Sequence, residues 1–269
     1  MNFEEYEVMY QVEDHHWWYL GMEHITCQLL ERYLPQSDTA FAPRQATHPA
    51  VGGEMGTAGD CSRKILDAGC GTGAVMKYLA RYGEATGFDF SAEALKFSHQ
   101  RAHTRLAQAS VLEIPFASQC FDLIVSFDVI CEMGVDDEQA LLEFRRILKP
   151  GGLVMLRLPA YDWLRGKHDV ATHIRHRFTR GEIGAKLKRN GFVPVRLSYA
   201  NTFLFPIAFA KRLSERLLSS SQTGSDLTLD PGPLNGTLRS ILSAEAPLIS
   251  AVGLPFGLTV VALARRDDA

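Results

Sequence analysis

The segment best equipped for chemistry is Asp67-Ala68-Gly69-Cys70-Gly71-Thr72-Gly73, which follows the apolar run KILDA and opens onto a helix-forming stretch. Glycines at 69, 71 and 73 let main-chain N–H groups approach a ligand closely, at a helix start that favours electron-rich groups. Gly69, Gly71 and Ala74 also satisfy the dinucleotide pattern G-x-G-x-x-G/A. Asp89, at the end of the next apolar run, suits a ribose hydroxyl with either kind of ligand.

Asp67 separates the two readings. A carboxylate beside a pyrophosphate is repelled, by several kcal/mol in a low-dielectric cleft. It suits a cationic ligand instead, such as the ammonium and sulfonium groups of S-adenosylmethionine. A nicotinamide-dependent oxidoreductase built on the same glycines is the rival enzyme class, and a non-catalytic cofactor-binding scaffold is the rival outside enzymes.

Four motifs occur in order: LDAGCGTG (66–73), GFDFS (87–91), LEIPFASQCFDLIVSFDVI (112–130) and LKPGG (148–152). In these the chain resembles the class I S-adenosylmethionine-dependent methyltransferases of the type 11-like kind, over roughly residues 62–200 plus the last strand. The resemblance implies a seven-stranded sheet with the cofactor across its carboxyl ends. It assigns Asp67, Gly69, Gly71 and Gly73 to the methionine part, Asp89 to the ribose, and Phe90 to a face of the adenine. Ser110 and Val111 would meet the adenine edge, with Ser110 standing where many relatives have Asp. Ser126, Phe127 and Asp128 would face the amino-acid end.

On the acceptor side the pattern departs from that family. Many relatives carry Glu-His after the fourth strand, where this chain has Cys131-Glu132. A base matters only if the acceptor must lose a proton, and imidazole suits that task at neutral pH. His168, with Asp169 adjacent, and His173 are the candidate catalytic residues; Glu132 is a substitute, and His176, His15 and His16 are further possibilities. No Cys or Glu cluster completes a metal site around His168, His173 and His176. Arg175, Arg177 and Arg180 could hold an anionic acceptor group. The basic amphipathic run Ala208–Leu218 could cover a lipid-like one. The stretches EDHHWWYLGMEHI (13–25) and LRGKHDVATHIRHRFTR (164–180) resemble a bacterial subgroup in which an aromatic N-terminal helix and a His-rich loop flank the site. Met22-Glu23 stands where those relatives often carry an Arg pair.

These residues need a scaffold, and the periodicity supplies one. Strand-like runs at 64–68, 84–89, 105–109, 121–127, 153–158, 192–199 and 258–265 alternate with helical stretches at 73–81, 91–100, 136–148 and 179–190. That alternation argues an α/β fold with a doubly wound, mostly parallel sheet. Ser91 is placed to cap one helix, and Thr179 with Glu182 forms a capping box for another. Residues 1–35 read as a helical lid, 36–63 as a flexible linker, 64–200 with 257–266 as the core, and 201–256 as a helical insertion.

The whole chain of 269 residues is 46% hydrophobic and 22% charged, with a net charge of −3. Disordered, collagen-like and disulfide-scaffold classes are excluded, and nothing global points to nucleic acid. Locally the charge is uneven. Residues 1–31 hold seven acids and no Lys or Arg, whereas residues 161–200 hold nine Lys/Arg against three acids. The expectation is that the acidic helix closes over the cofactor against the basic segment. Five cysteines without a CxxC pair favour a reducing cytoplasm. The uncharged run 246–264 is broken by Pro247, Gly253, Pro255 and Gly257, so it reads as a loop and buried strand rather than a membrane span.

Overall fold

The structure is a computed structural model describing residues 1–34, 62–207, 209–210 and 232–268, with the side chains of residues 3, 167 and 168 excepted. Most of the expected linker and the middle of the expected insertion, including most of the basic amphipathic run, lie outside the described residues. The sheet has seven strands: β1 (Lys64–Ala68), β2 (Glu84–Asp89), β3 (Leu106–Gln108), β4 (Phe121–Phe127), β5 (Leu148–Pro159), β6 (Phe192–Ala200) and β7 (Thr259–Arg266). Their order is β3-β2-β1-β4-β5-β7-β6. Pairings from β3 to β5 are parallel, whereas β7 runs antiparallel to both β5 and β6. This is the doubly wound, mostly parallel sheet that the alternation of elements predicts. Its order reverses at β1, which places a crevice at the carboxyl ends of β1 and β4.

Each central strand is apolar on both faces because helices cover both. On one face Leu66, Ile124, Val154, Leu156 and Ala262 pack under α5 (Asp137–Ile147) and α7 (Arg180–Arg189). The residues between them, Ile65, Leu123, Val125, Met155 and Val261, face the other way. There they meet α2 (Trp17–Tyr33), which buries Met22, Ile25, Leu29 and Leu30 at helical spacing. Two short helices, α8 (Asn235–Ser243) and α9 (Ala246–Ala251), complete that layer, with Leu242, Ala246 and Ile249 in the same cluster. The N-terminal segment is thus more than a lid. Its second helix is a core layer whose first turns, together with α1 (Phe3–Val12) and the turn before α2, reach the site.

Three remaining helices, α3 (Ala74–Leu79), α4 (Ala92–Gln100) and α6 (Lys167–Ala171), connect strands near the crevice. Ser91 caps α4 through Ala94 N–H at 3.3 Å. Thr179 caps α7 through Glu182 N–H at 3.2 Å. The reciprocal half of that capping box is diverted, because the Glu182 carboxylate meets His176 instead, at 2.8 Å. Strand β5 starts at Leu148 rather than at Leu153, since Leu148 already pairs with Phe121. The uncharged run at 246–264 divides into α9, a loop and β7. No helix among the described residues is long and apolar enough to cross a membrane.

Candidate active site

A cavity of about 1240 Å³ opens at the carboxyl ends of β1, β2 and β4. Asp67, Gly69 and Gly71 line it from the first loop, and Asp89 and Phe90 from the end of β2. Ser110, Val111, Phe127 and Asp128 complete the set drawn from the motifs. Gly73 and Ser126 stand behind this surface. Gly73 (φ +88°) begins α3, where a Cβ would strike His103 and Ser98. Ser126 is buried and donates its hydroxyl to the Ala68 carbonyl at 3.0 Å, tying β4 to β1.

The glycine loop is internally satisfied. Gly69 and Cys70 N–H donate to the Phe88 carbonyl at 2.9 and 2.8 Å, and Gly73 N–H donates to the Cys70 carbonyl at 2.9 Å. Gly71 N–H donates to Asp89 Oδ2 at 2.8 Å. These four donors already have acceptors. Gly69 (φ +81°) has another reason to be glycine, because a Cβ there would sit 2.3 Å from Val129 Cγ2.

The charge facing the cavity is negative. Asp67 is 1% exposed, and its Oδ2 has no hydrogen-bond partner in the protein. Burial first, then the nearby Asp89 and Glu13, push its carboxyl up to about 8, against the opposing pull of Arg157. A buried oxygen of this kind calls for a cation or donor from a ligand. Asp89 accepts from Gly71 N–H and from Ser91 N–H at 2.8 Å, which leaves lone pairs for two hydroxyls. The glycine cradle and these two carboxylates fit S-adenosylmethionine: Asp67 would hold the ammonium and Asp89 the ribose.

Further lining residues come from outside the glycine loop and the end of β2. Arg157, on β5, is bound through Nε to Asp128 at 3.0 Å, and its guanidinium lies between the rings of Phe127 (4.5 Å) and Trp18 (4.8 Å). Asp128 itself has a left-handed backbone (φ +62°), the kind of strain that collects at functional sites. From the N-terminal segment come Tyr6, Glu13, Trp18 and Tyr19. Burial and the Asp89 charge raise the Tyr6 phenol above its ordinary range.

The expected pairing of the acidic N-terminus with residues 161–200 is corrected here. Glu13 and Asp14 pair with Arg101, Asp14 also pairs with Lys77 at 3.1 Å, and Glu23 pairs with Arg81 at 2.8 Å. The basic segment finds acids of its own. Arg175 and Lys186 meet Asp137 at 3.3 and 2.9 Å, Arg177 meets Asp169 at 2.7 Å, and Arg189 meets Glu138 at 2.7 Å. Among the described residues, hydrogen bonds join Met1 and Asn2 to Ala171 and His173, and Tyr33, at the end of α2, accepts from Arg196.

Of the candidate bases, the His168 side chain lies outside the described residues. His173 does not line the cavity; it is exposed, with Nε2 3.0 Å from Asn2 Oδ1. His176 is held between Asp162 and Glu182 at 2.7 and 2.8 Å. His16 lines the cavity and caps α2 by accepting from Trp18 N–H at 3.3 Å. Glu132 lines it too, its carboxyl pushed up to about 7 by burial and by Asp89 and Asp128. No hydrogen bond or ion pair from the described residues engages the Glu132 side chain.

Residues 66–156 match the family described as a methyltransferase domain. A malonyl-[acyl-carrier protein] O-methyltransferase of Enterobacter lignolyticus is 36% identical over 103 residues, covering 38% of this chain and 41% of that one. A demethylmenaquinone methyltransferase of Staphylococcus aureus is 35% identical over 102 residues, covering 34% and 41%. The chain thus spans about two fifths of the length of these curated relatives. A solved S-adenosylmethionine-dependent methyltransferase of Thermotoga maritima superposes with a TM-score of 0.55 at 17% identity, over 98% of this chain and 96% of that one. One from Mesorhizobium loti gives 0.50 at 18% identity, over 76% and 91%. Residues 66–156 thus match the methyltransferase-domain family, and the chain has the fold of the solved class I methyltransferases.

Proposed function

We propose that this protein transfers a methyl group from S-adenosylmethionine to an oxygen of a small-molecule acceptor, leaving S-adenosylhomocysteine. The observation that carries the reading is the unpartnered Asp67 carboxyl oxygen, buried beside a glycine loop in which Gly69, Cys70, Gly71 and Gly73 N–H are already bonded. A cation bound there favours the carboxylate, whereas a diphosphate brings that oxygen no donor, which weighs against the nicotinamide reading. When bound, the cofactor supplies a methyl group on a good leaving group, and the protein's task is to orient the acceptor and exclude water.

Glu132 is the base this geometry favours. Its carboxylate faces the cavity and takes the proton that the acceptor hydroxyl gives up as oxygen bonds to the methyl carbon. The O-methyltransferase among the relatives agrees with an oxygen acceptor. His168 stays a second candidate for this role, and His173 would have to leave its contact with Asn2 to serve. Cys27, Cys70, Cys120 and Cys131 are free thiols, which supports a reducing cytoplasmic setting.

Two experiments test the reading. Calorimetric titration should show binding of S-adenosylhomocysteine and none of NADH; the reverse would return the glycine loop to the dinucleotide class. Incubation with cell extract and isotope-labelled cofactor should yield a labelled small molecule by mass spectrometry, whereas a scaffold yields none.

A further inference from the structure

Beyond Phe127 the cavity changes character. Its walls become Pro159, Leu164, Ile174, Leu204, Ile207 and Leu258. The arginines that could have made this end an anion site are committed to the protein. Arg177 spends Nε and Nη2 on Asp169, at 2.7 and 3.0 Å, and Nη1 on the Ala160 carbonyl at 3.2 Å. Arg175 pairs with Asp137, and Arg180 donates to the Leu254 carbonyl at 3.3 Å.

Set into this apolar wall is Asn201. It lines the cavity, is 3% exposed, and its buried Oδ1 has no hydrogen-bond partner. Its backbone is left-handed (φ +60°). Beside it lies Glu245, a fully buried carboxylate that accepts from Phe203 N–H at 2.7 Å. The Thr202 hydroxyl donates to the Phe256 carbonyl. Thr202 and Phe203 are therefore held in place, while Asn201, next to them, lines the cavity. A buried amide oxygen left unsatisfied is destabilising, and a strained backbone adds to that. Both are accounted for by a ligand group that bonds to it.

We propose that Asn201 is the acceptor-recognition residue, and that the acceptor is an uncharged, largely apolar molecule with a second hydroxyl, apart from the one methylated, that donates to Asn201 Oδ1. This rests on the methyl-transfer reading and deepens it. An anionic acceptor head group would find no uncommitted cation in this half of the cavity among the described residues, and its burial would be opposed.

The test uses the full chain loaded with S-adenosylhomocysteine and three probes of one shape: 2-naphthol, 2-methoxynaphthalene, which lacks the donor, and 2-naphthoate, which is anionic. Calorimetry should show 2-naphthol binding at least tenfold more tightly than either of the others. Asn201→Gly suits the left-handed backbone and should remove that advantage, with affinity for 2-methoxynaphthalene and for S-adenosylhomocysteine unchanged. Asn201→Ser should behave likewise, and carries the test if the glycine variant does not fold. Undiminished 2-naphthol binding in the variants, preference for 2-naphthoate, or no 2-naphthol binding by the loaded wild type overturns the inference alone. Failure of the wild type to bind S-adenosylhomocysteine overturns the methyl-transfer reading and this one with it.

Discussion

Glu13 accepts a hydrogen bond from the Thr72 hydroxyl, so a carboxylate ahead of α2 grips the middle of the glycine loop. The same oxygen accepts from Arg101 Nη2 at 2.8 Å, and burial raises the Glu13 carboxyl above its ordinary value. The N-terminal segment is joined in this way both to the cofactor loop and to the end of α4.

Replacing Glu13 by Ala removes both bonds and leaves Arg101, half of a buried pair, with Asp14 as its remaining acidic partner. A loss of about 1–3 kcal/mol of stability is expected from urea unfolding. Weaker binding of S-adenosylhomocysteine should accompany it, because the loop loses its outer support. Unchanged affinity would show that the N-terminal segment plays no part in cofactor binding.

Asp67 sets the pH dependence of cofactor binding. In the free protein its carboxyl titrates at about 8, so at pH 7 it is largely protonated, whereas a bound ammonium favours the carboxylate. Affinity should therefore rise with pH up to about 8 and then level off. Binding at pH 7 should release a proton, seen calorimetrically as a heat that varies with the ionisation enthalpy of the buffer. Asp67→Asn should abolish both the proton release and most of the affinity.

The same group affects stability with the opposite sign. A carboxyl whose native value exceeds its unfolded value binds more protons when folded, so it opposes folding increasingly as pH rises from about 4 to 8. Cofactor-free protein should lose stability over that range by urea unfolding. Asp67→Asn should flatten the slope; an equally steep slope would move its origin to another group.

Trp18 covers one side of the Arg157 guanidinium, an interaction worth about 0.5–2 kcal/mol when desolvated. Trp18→Ala should weaken S-adenosylhomocysteine binding by a factor of about 3 to 30 in calorimetry, because Arg157 is then free to leave the wall of the site. Trp17 lines the cavity beside it. The double variant Trp17→Ala, Trp18→Ala should bind more weakly still.

Once an acceptor is in hand, Glu132→Gln should lower kcat by about 10²–10⁴-fold, the usual range for losing a general base. Only the carboxylate can take a proton, so the wild-type rate should climb with pH through about 7 and then plateau. The variant should lack that limb and still bind S-adenosylhomocysteine. A limb that persists would transfer the role to a histidine, with His168 first in line.

What could be read from the residues was whatever depends on local order. Strand and helix periodicity, the glycine loop, Asp89 at a strand end and the caps at Ser91 and Thr179 all involve residues within a few positions of one another. The charge argument did less well because net charge per segment ignores distance. Residues 161–200 are basic as a stretch, yet Asp137, Glu138, Asp162, Asp169 and Glu182 lie among them in space and take up most of the cations. Glu13 with Thr72, and Asn201 with Glu245, bring together residues far apart in the chain through α2 and the β6–β7 connection. No spacing rule announces such pairs. Asn201 carried one faint signal, since asparagine is among the few residues that accept a left-handed backbone.

The antiparallel placement of β7 sets an order of assembly. Strand β6 touches the rest of the sheet only through β7, which follows it by nearly sixty positions. A nascent chain can therefore complete the nucleoside-facing strands from β3 to β5 while β6 still waits for its partner. Asn201, just past the end of β6, is among the last parts of the molecule to be brought to its post.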